Sequence, residues 1–277
     1  MKVRKSTIIA QVIAWSVSLI WIIPFLGVFV ASIRPFDELL GGWWNFKSFH
    51  LTLQGFLGAW NHPAAPLSRA ILNSLIVTIP STFLPILVAA LAAYSFARFK
   101  FPSSDLLFIV IVLLQTVPQQ MVIIPIFNLM LTLGLLNNYI GLVLLHSAFG
   151  LPWMILFLRN FFSVLPVEVE EAARIDGASY FKIFYKIVLP MSLPALASVI
   201  ALQFVWVWND FFFALALIQN PRLKLATQAI PTMIGRYEID WNLISAASII
   251  VMIIPVVIYV VLQRYYVKGL VAGAVKG

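Results

Sequence analysis

Long apolar runs alternate with short polar connections along this chain. Six runs stand out, at about 8–32, 70–96, 106–131, 138–158, 191–217 and 243–263, and the fifth contains one acid, Asp210. A helix needs roughly 20 residues to cross the hydrocarbon core of a bilayer. Backbone groups inside lipid must be satisfied within the protein, which leaves helices or closed barrels, and runs of this length exclude barrel strands. The pattern predicts an all-α polytopic membrane protein with six transmembrane helices. No low-complexity linker divides the chain, so residues 1–277 read as one domain.

Composition supports that reading: 62% of residues are hydrophobic and only 10% charged, against about 25% charged in soluble domains. Lys2, Arg4 and Lys5 precede the first run as in a signal peptide. Its apolar core of about 25 residues exceeds the 7–15 of a secretory signal, so it reads as a retained span. With the N-terminus inside, twelve of the 18 Lys and Arg fall on the inner side. Positive loops stay cytoplasmic, so both termini and the connection between the fourth and fifth spans are expected in the cytoplasm. The net charge of +8 is then a topology signal and no sign of nucleic-acid binding. The chain has no cysteine, and its three histidines are scattered, so no metal constellation is formed.

Two outer loops carry features. The first, about 33–69, holds Trp43, Trp44, Trp60, His50 and His62; the second, about 218–242, holds Pro221, Pro231 and Trp241. Tryptophans beside a span serve as interfacial anchors or as contacts with an extracellular partner; both readings stand. Pro24, Pro80, Pro85, Pro118, Pro125, Pro152, Pro194 and Pro255 lie inside the runs and are expected to bend them.

The sharpest local feature is a polar island with four of the ten acids, Glu168, Glu170, Glu171 and Asp176. Pro166 suits a first helical turn, and the glutamates sit near the positive end of the helix dipole. Glu170 and Arg174, four apart, are expected to pair on the solvent side. Val169, Ala172, Ala173 and Asp176 share one face, where the alanines let another surface approach closely. Gly177 suits a stop with positive φ, and Ser179 a cap on a second helix with the apolar stripe Phe181, Phe184, Ile187 and Val188. This helix–turn–helix reads as a rigid docking lever. An amphipathic loop resting on headgroups would favour Lys and Arg over three glutamates.

Glu171-Ala172-Ala173, three residues, Gly177, nine residues, Ile187, one residue, Leu189-Pro190 resembles the EAA loop of ABC importer permeases. Asn73-Ser74, the stretches Gln115–Pro118 and Ile124–Phe127, Gly134-Leu135, Trp208–Phe211 and the tail from Arg264 are similar to the carbohydrate-uptake, maltose-type subgroup. The resemblance implies a permease subunit of a binding-protein-dependent importer, in a prokaryotic inner or plasma membrane, with Glu171, Ala172, Ala173, Asp176, Gly177, Ile187, Leu189 and Pro190 coupling it to an ATPase. It further implies a second homologous permease forming a heterodimer, two ATP-binding subunits at the cytoplasmic face and an extracellular or periplasmic solute-binding protein. This chain carries no P-loop Gly-Lys-Ser/Thr. ATP and Mg are thus expected on the partners, with no cofactor on this chain and no enzymatic activity of its own. The solute is expected to be a sugar or oligosaccharide; a polyamine, amino acid or phosphate is the alternative, and a membrane-embedded enzyme or secondary transporter lacks its usual signatures.

Inside the spans, Gln115, Gln119, Gln203, Asn209 and Asp210 are the candidate substrate pathway, since amides and carboxylates pair with hydroxyls and the nearby Trp206 and Trp208 offer stacking faces. The structural alternative is that Asp210 pairs with the other permease or caps outer-loop backbone, and that the glutamines satisfy carbonyls freed by Pro118.

Overall fold

The computed structural model describes residues 5–235 and 238–274. Its elements, among the described residues, are all helical. In chain order they are α1 (Lys5–Ser32), α2 (Phe36–Leu39), α3 (Gln54–Trp60), α4 (Leu67–Arg98), α5 (Ser104–Leu114), α6 (Gln119–Thr132), α7 (Tyr139–Ser163), α8 (Val167–Ile175), α9 (Tyr180–Ile183), α10 (Leu189–Met191), α11 (Leu193–Trp208), α12 (Phe212–Leu217), α13 (Ala226–Thr232) and α14 (Trp241–Ala274). A π-helical turn, Phe184–Val188, joins α9 to α10.

Four helices are long and apolar enough to cross a membrane singly: Thr7–Ser32, Leu67–Arg98, Tyr139–Ser163 and Trp241–Gln263. The expected third and fifth spans are not continuous helices. The third is broken between α5 and α6, whose axes meet at 94°. Pro118 has no N–H to continue α5, and it stands extended at the head of α6. The fifth bends by 75° between Met191 and Leu193, where Ser192 Oγ donates to the Val188 carbonyl at 2.7 Å. It then ends at Trp208, well short of 217, because Asn209–Phe211 interrupt the helix before α12. Counting each bent pair as one span gives six; counting only unbroken helices gives four.

The chain divides into two compact units, Met1–Ile71 with Gln228–Ile253, and Leu72–Thr227 with Ile254–Gly277. In the first, the Asn242 amide donates to the carbonyls of Ala31 (3.2 Å) and Ser32 (3.0 Å). Gly55 lies so close that any Cβ there would collide with Asn242. The loop after α1 is built around Arg34, which is fully buried. Its guanidinium donates to the carbonyls of Trp43, Asn45 and Ser48 at 2.8–3.2 Å and to Glu38, and packs over Phe46 and Phe49.

In the second unit, small residues on one face of α4 (Ala89, Ala90, Ala93) let α7 and the π-helical turn approach, burying Met154, Leu158, Phe162, Phe184 and Val188 around Tyr94. A second cluster buries Val77, Leu142, Leu145, Val207, Phe213 and Leu217. The Asn73 amide donates to the carbonyls of Arg222 and Lys224, and Ser74 Oγ accepts from the Ala226 N–H. The Asn73-Ser74 pair thus fastens the connection after α12 to α4. The motif from Arg264 falls on the last turns of α14; its side chains, like residues 1–4, 236–237 and 275–277 altogether, lie outside the described residues.

Glu38 also accepts from the His50 backbone N–H and shares a hydrogen bond with its Nδ1. The His50 side-chain bond is the chief force holding the Glu38 carboxyl below its ordinary value. A carboxyl lowered by folding contributes stability that is complete above the unfolded value and lost as pH falls through the folded one. The protection of the 36–50 amides against hydrogen exchange, taken relative to the intrinsic rate at each pH, is therefore expected to hold from neutrality down to about pH 4 and to fall below it. Glu38→Gln is expected to be poorly protected throughout; pH-independent protection in the wild type would remove Glu38 from this role.

Candidate functional site

Two surfaces gather the candidate residues. The first is the polar loop. Pro166 is the extended residue preceding α8 and not its first helical turn. Gly177 follows α8 with φ +79° and nothing within reach of an added Cβ. Ser179 caps α9, accepting from the Lys182 N–H. Glu171, Ala172, Asp176, Gly177 and Pro190 are exposed, while Ala173, Ile187 and Leu189 are half-buried.

The outward face differs from the helical wheel expected. Val169, Ala172 and Asp176 do point out, but Ala173 leans into the core around Tyr94 and Ile175 replaces it outside, 87% exposed. On the second helix, Ile183 joins Phe184, Ile187 and Val188 on the packed side, and Phe181 stands in the open at 69%. The expected Glu170–Arg174 pair does not form. Glu170 is buried and bonds Arg98 and Tyr94; Arg174 lies over the Tyr180 ring. Spacing alone gave no sign of this, because Arg98 is 72 residues away. The only hint lay in an acid at a position that completes an inward i, i+3 pair with Ala173.

The second surface lies along the two helix breaks. Gln115, Thr116 and Gln119 line a groove of about 540 Å³ with Phe149, Trp153 and Trp206. Leu202 and Trp206 are shared with an adjoining groove of about 600 Å³ that Asn209 and Asp210 line. Gln203 is fully buried behind them. It accepts from Trp153 Nε1 (3.3 Å) and donates to the Ser81 carbonyl (3.1 Å), so it orients the indole without facing the groove. The Asp210 carboxylate accepts from the N–H groups of Phe213 (3.3 Å) and Ala214 (3.1 Å), opening α12. His146 Nε2 stands 3.6 Å from it, with no hydrogen bond, between the edges of Trp206 and Phe213. Trp208 turns inward and stacks on Phe204. Among the described residues, no side-chain hydrogen bond engages Gln115, Gln119 or Asn209.

A helical chain with apolar spans, an exposed polar helix and a groove where two of those spans break has the build of a transport subunit. Residues 85–271 match the binding-protein-dependent transport system inner membrane component family, and the chain belongs to it. It is 51% identical over 276 residues to a probable ABC transporter permease of Pyrococcus horikoshii, covering 100% of both chains. It is 40% identical to a permease for uptake of osmoprotective compounds from Synechocystis (94% of this chain, 89% of that one). It is also 34% identical to a glucose import system permease of Saccharolobus solfataricus (92% and 90%). In fold it is similar to a chain of a bacterial ABC transporter that imports the polysaccharide alginate, with TM-score 0.80 at 21% identity over 96% of this chain and 99% of that one.

Gly177 tests the lever locally. With open space around it, only backbone conformation limits substitution, at roughly 1–2 kcal/mol for an L-residue in the left-handed region and least for Asn. Gly177→Asn is expected to retain expression and uptake, and Gly177→Val to lose uptake while still reaching the membrane. Wild-type uptake by Gly177→Val in a transport assay would show that the turn does not govern function.

Proposed function

We propose that this chain is one of two permease subunits of an ATP-driven, binding-protein-dependent importer of sugars or oligosaccharides. It forms half of the translocation path, with the polar loop and both termini in the cytoplasm. The loop around α8 docks on an ATP-binding partner, where ATP and Mg are used; closure of the ATPase pair pushes α8, and the spans pass from one access state to the other. A second permease completes the path, and a solute-binding protein delivers the sugar from outside.

The observation that carries the docking half is α8 itself, a short helix bounded by Pro166 and Gly177 with Val169, Ala172 and Ile175 turned outward. Exposed apolar side chains beside acids fit a protein cleft better than anionic headgroups. The solute half rests on the groove. Its walls carry indoles, phenyl rings and unengaged amides, but, among the described residues, no Lys, Arg or His. An anion such as phosphate finds no counter-charge there, and the one acid, Asp210, already spends both oxygens on α12. A neutral polyhydroxylated ring matches that set, with its apolar face on an indole and its hydroxyls on Gln115, Gln119 and Asn209. The Synechocystis relative favours, as a second reading, a neutral osmoprotective solute in the same groove.

The test is reconstitution of the whole complex in proteoliposomes with labelled glucose, trehalose and melibiose, together with Ala172→Cys crosslinking. Ala172 is the better site than Ala173, because Ala173 leans into the core. ATP-dependent accumulation of a sugar, with the thiol at position 172 captured by the ATP-binding subunit, is the expected outcome. A labelled thiol there that captures only lipid would return the loop to the membrane surface, and uptake of phosphate or polyamine in place of sugar would overturn the substrate class.

A further inference from the structure

Glu170 is the one acid of the polar loop that faces the protein. Its side chain is 8% exposed and that of Arg98 10%. One carboxylate oxygen accepts from Arg98 Nε at 2.8 Å and the other from the Tyr94 hydroxyl at 2.9 Å. Arg98 Nη2 reaches on to the Leu165 carbonyl, just before α8, at 3.2 Å. The Tyr94 ring is held edge-on by Phe99 and Phe162 and tilts against Phe184. Both oxygens of an α8 side chain are thus committed to the end of α4.

Pro166 and Gly177 end helical continuity on either side of α8, so its register against α4 is set by side-chain contacts and not by a shared helix. An apolar contact such as that of Ala173 tolerates sliding. A buried ion pair with two directed hydrogen bonds has a single register, its best-attested use. From Arg98, α4 runs as one helix back past Pro85 to Ser81, roughly 25 Å at 1.5 Å per residue. There the Ser81 carbonyl accepts from Gln203, which holds the Trp153 indole of the groove wall.

We propose that Glu170, acting through Arg98 and Tyr94, is the positioning residue that locks α8 to α4, so that a push on α8 is delivered to α4 and, at Ser81 midway along it, to the Gln203–Trp153 wall of the groove. The proposal rests on α8 being the ATPase-docking helix. A purely structural clamp would only hold the loop in place; a positioning clamp makes the groove respond to ATP.

The cysteine-free chain allows a test that needs no knowledge of the solute. In the reconstituted complex, Leu202→Cys on the groove wall is labelled with a water-soluble maleimide, with and without ATP, and Ala172→Cys is crosslinked to the ATPase in parallel. ATP is expected to change the labelling rate of the thiol at position 202 about tenfold in the wild-type background and less than about twofold with Glu170→Gln, as for a shifted two-state population. The thiol at position 172 is expected to keep its crosslink in both. Tyr94→Phe, which removes one bond and keeps the ring, is expected to fall between them, and serves if Glu170→Gln assembles poorly. The exchanged pair Glu170→Arg with Arg98→Glu is expected to regain the ATP response. An undiminished ATP response in assembled Glu170→Gln complexes overturns the clamp while leaving α8 as the docking helix. An Ala172→Cys chain, otherwise wild type, whose thiol never meets the ATPase removes the docking reading and the clamp with it.

Discussion

Backbone hydrogen bonding inside hydrocarbon is the constraint on which this architecture rests. No water reaches an orphaned N–H or C=O there, and each one costs several kcal/mol. The chain nevertheless breaks helices at 115–118, at Ser192 and at 209–211. Polar side chains stand at each break. Thr116 Oγ1 donates to the Leu113 carbonyl, Ser192 Oγ to the Val188 carbonyl, and Asp210 accepts the first N–H groups of α12. Gln203 serves Ser81 and His146 between helices. The polar groups at these breaks are therefore spent largely on the backbone. The unengaged amides Gln115, Gln119 and Asn209 gather at the breaks, where irregular chain faces a cavity as this constraint requires.

The same constraint explains what was legible in the sequence. Long uncharged runs announce helices because lipid permits little else, and single helices cover the first, second, fourth and sixth runs, the fourth extending to Ser163 and the sixth to Ala274. Residue type alone announced the left-handed Gly177 and the Ser179 cap. Interruptions were harder to see. Pro80 and Pro85 stay inside α4, whereas Pro118 ends α5, and composition does not distinguish them. Gln115, Thr116, Gln119 and Gln120 surround Pro118 with groups able to replace lost helix bonds, but Thr78, Ser81 and Thr82 stand around Pro80 in an unbroken helix, so polar flanks permit a break without dictating one. Asp210 followed the same logic, being a residue whose capping alternative could be written from sequence but chosen only from geometry.

Pairings across long separations were illegible for a different reason. Glu170 with Arg174 satisfies the local rule for a helix surface, worth a few tenths of a kcal/mol. Burial of Glu170 instead brings Arg98 and Tyr94 into place, and a buried charge-assisted pair outweighs an exposed one. Which wins depends on whether α4 passes close by, and that follows from the alanine face of α4, read only once the helices are packed. Arg34 teaches the same lesson in the other unit. It looked like one cation among the outer loops and proved to be the buried post on which the loop is wound.

Charge placement then divides the labour. Among the described residues, charges gather in the loop around α8 and in the connections, while the grooves hold one acid and no cation. A lever needs directed, register-fixing contacts, and ion pairs supply them at the cost of desolvation. A path for a solute needs the opposite, because a fixed charge in a low-dielectric wall either traps an opposite ion or repels a like one. In the proposed path, neutral amides and indoles would bind each hydroxyl or ring face weakly enough to release it. The two chemistries therefore have to be kept apart in space yet joined mechanically. In the proposed mechanism the stretch of α4 from Arg98 to Ser81, tied at its end by Glu170 and at its middle through Gln203, makes that join.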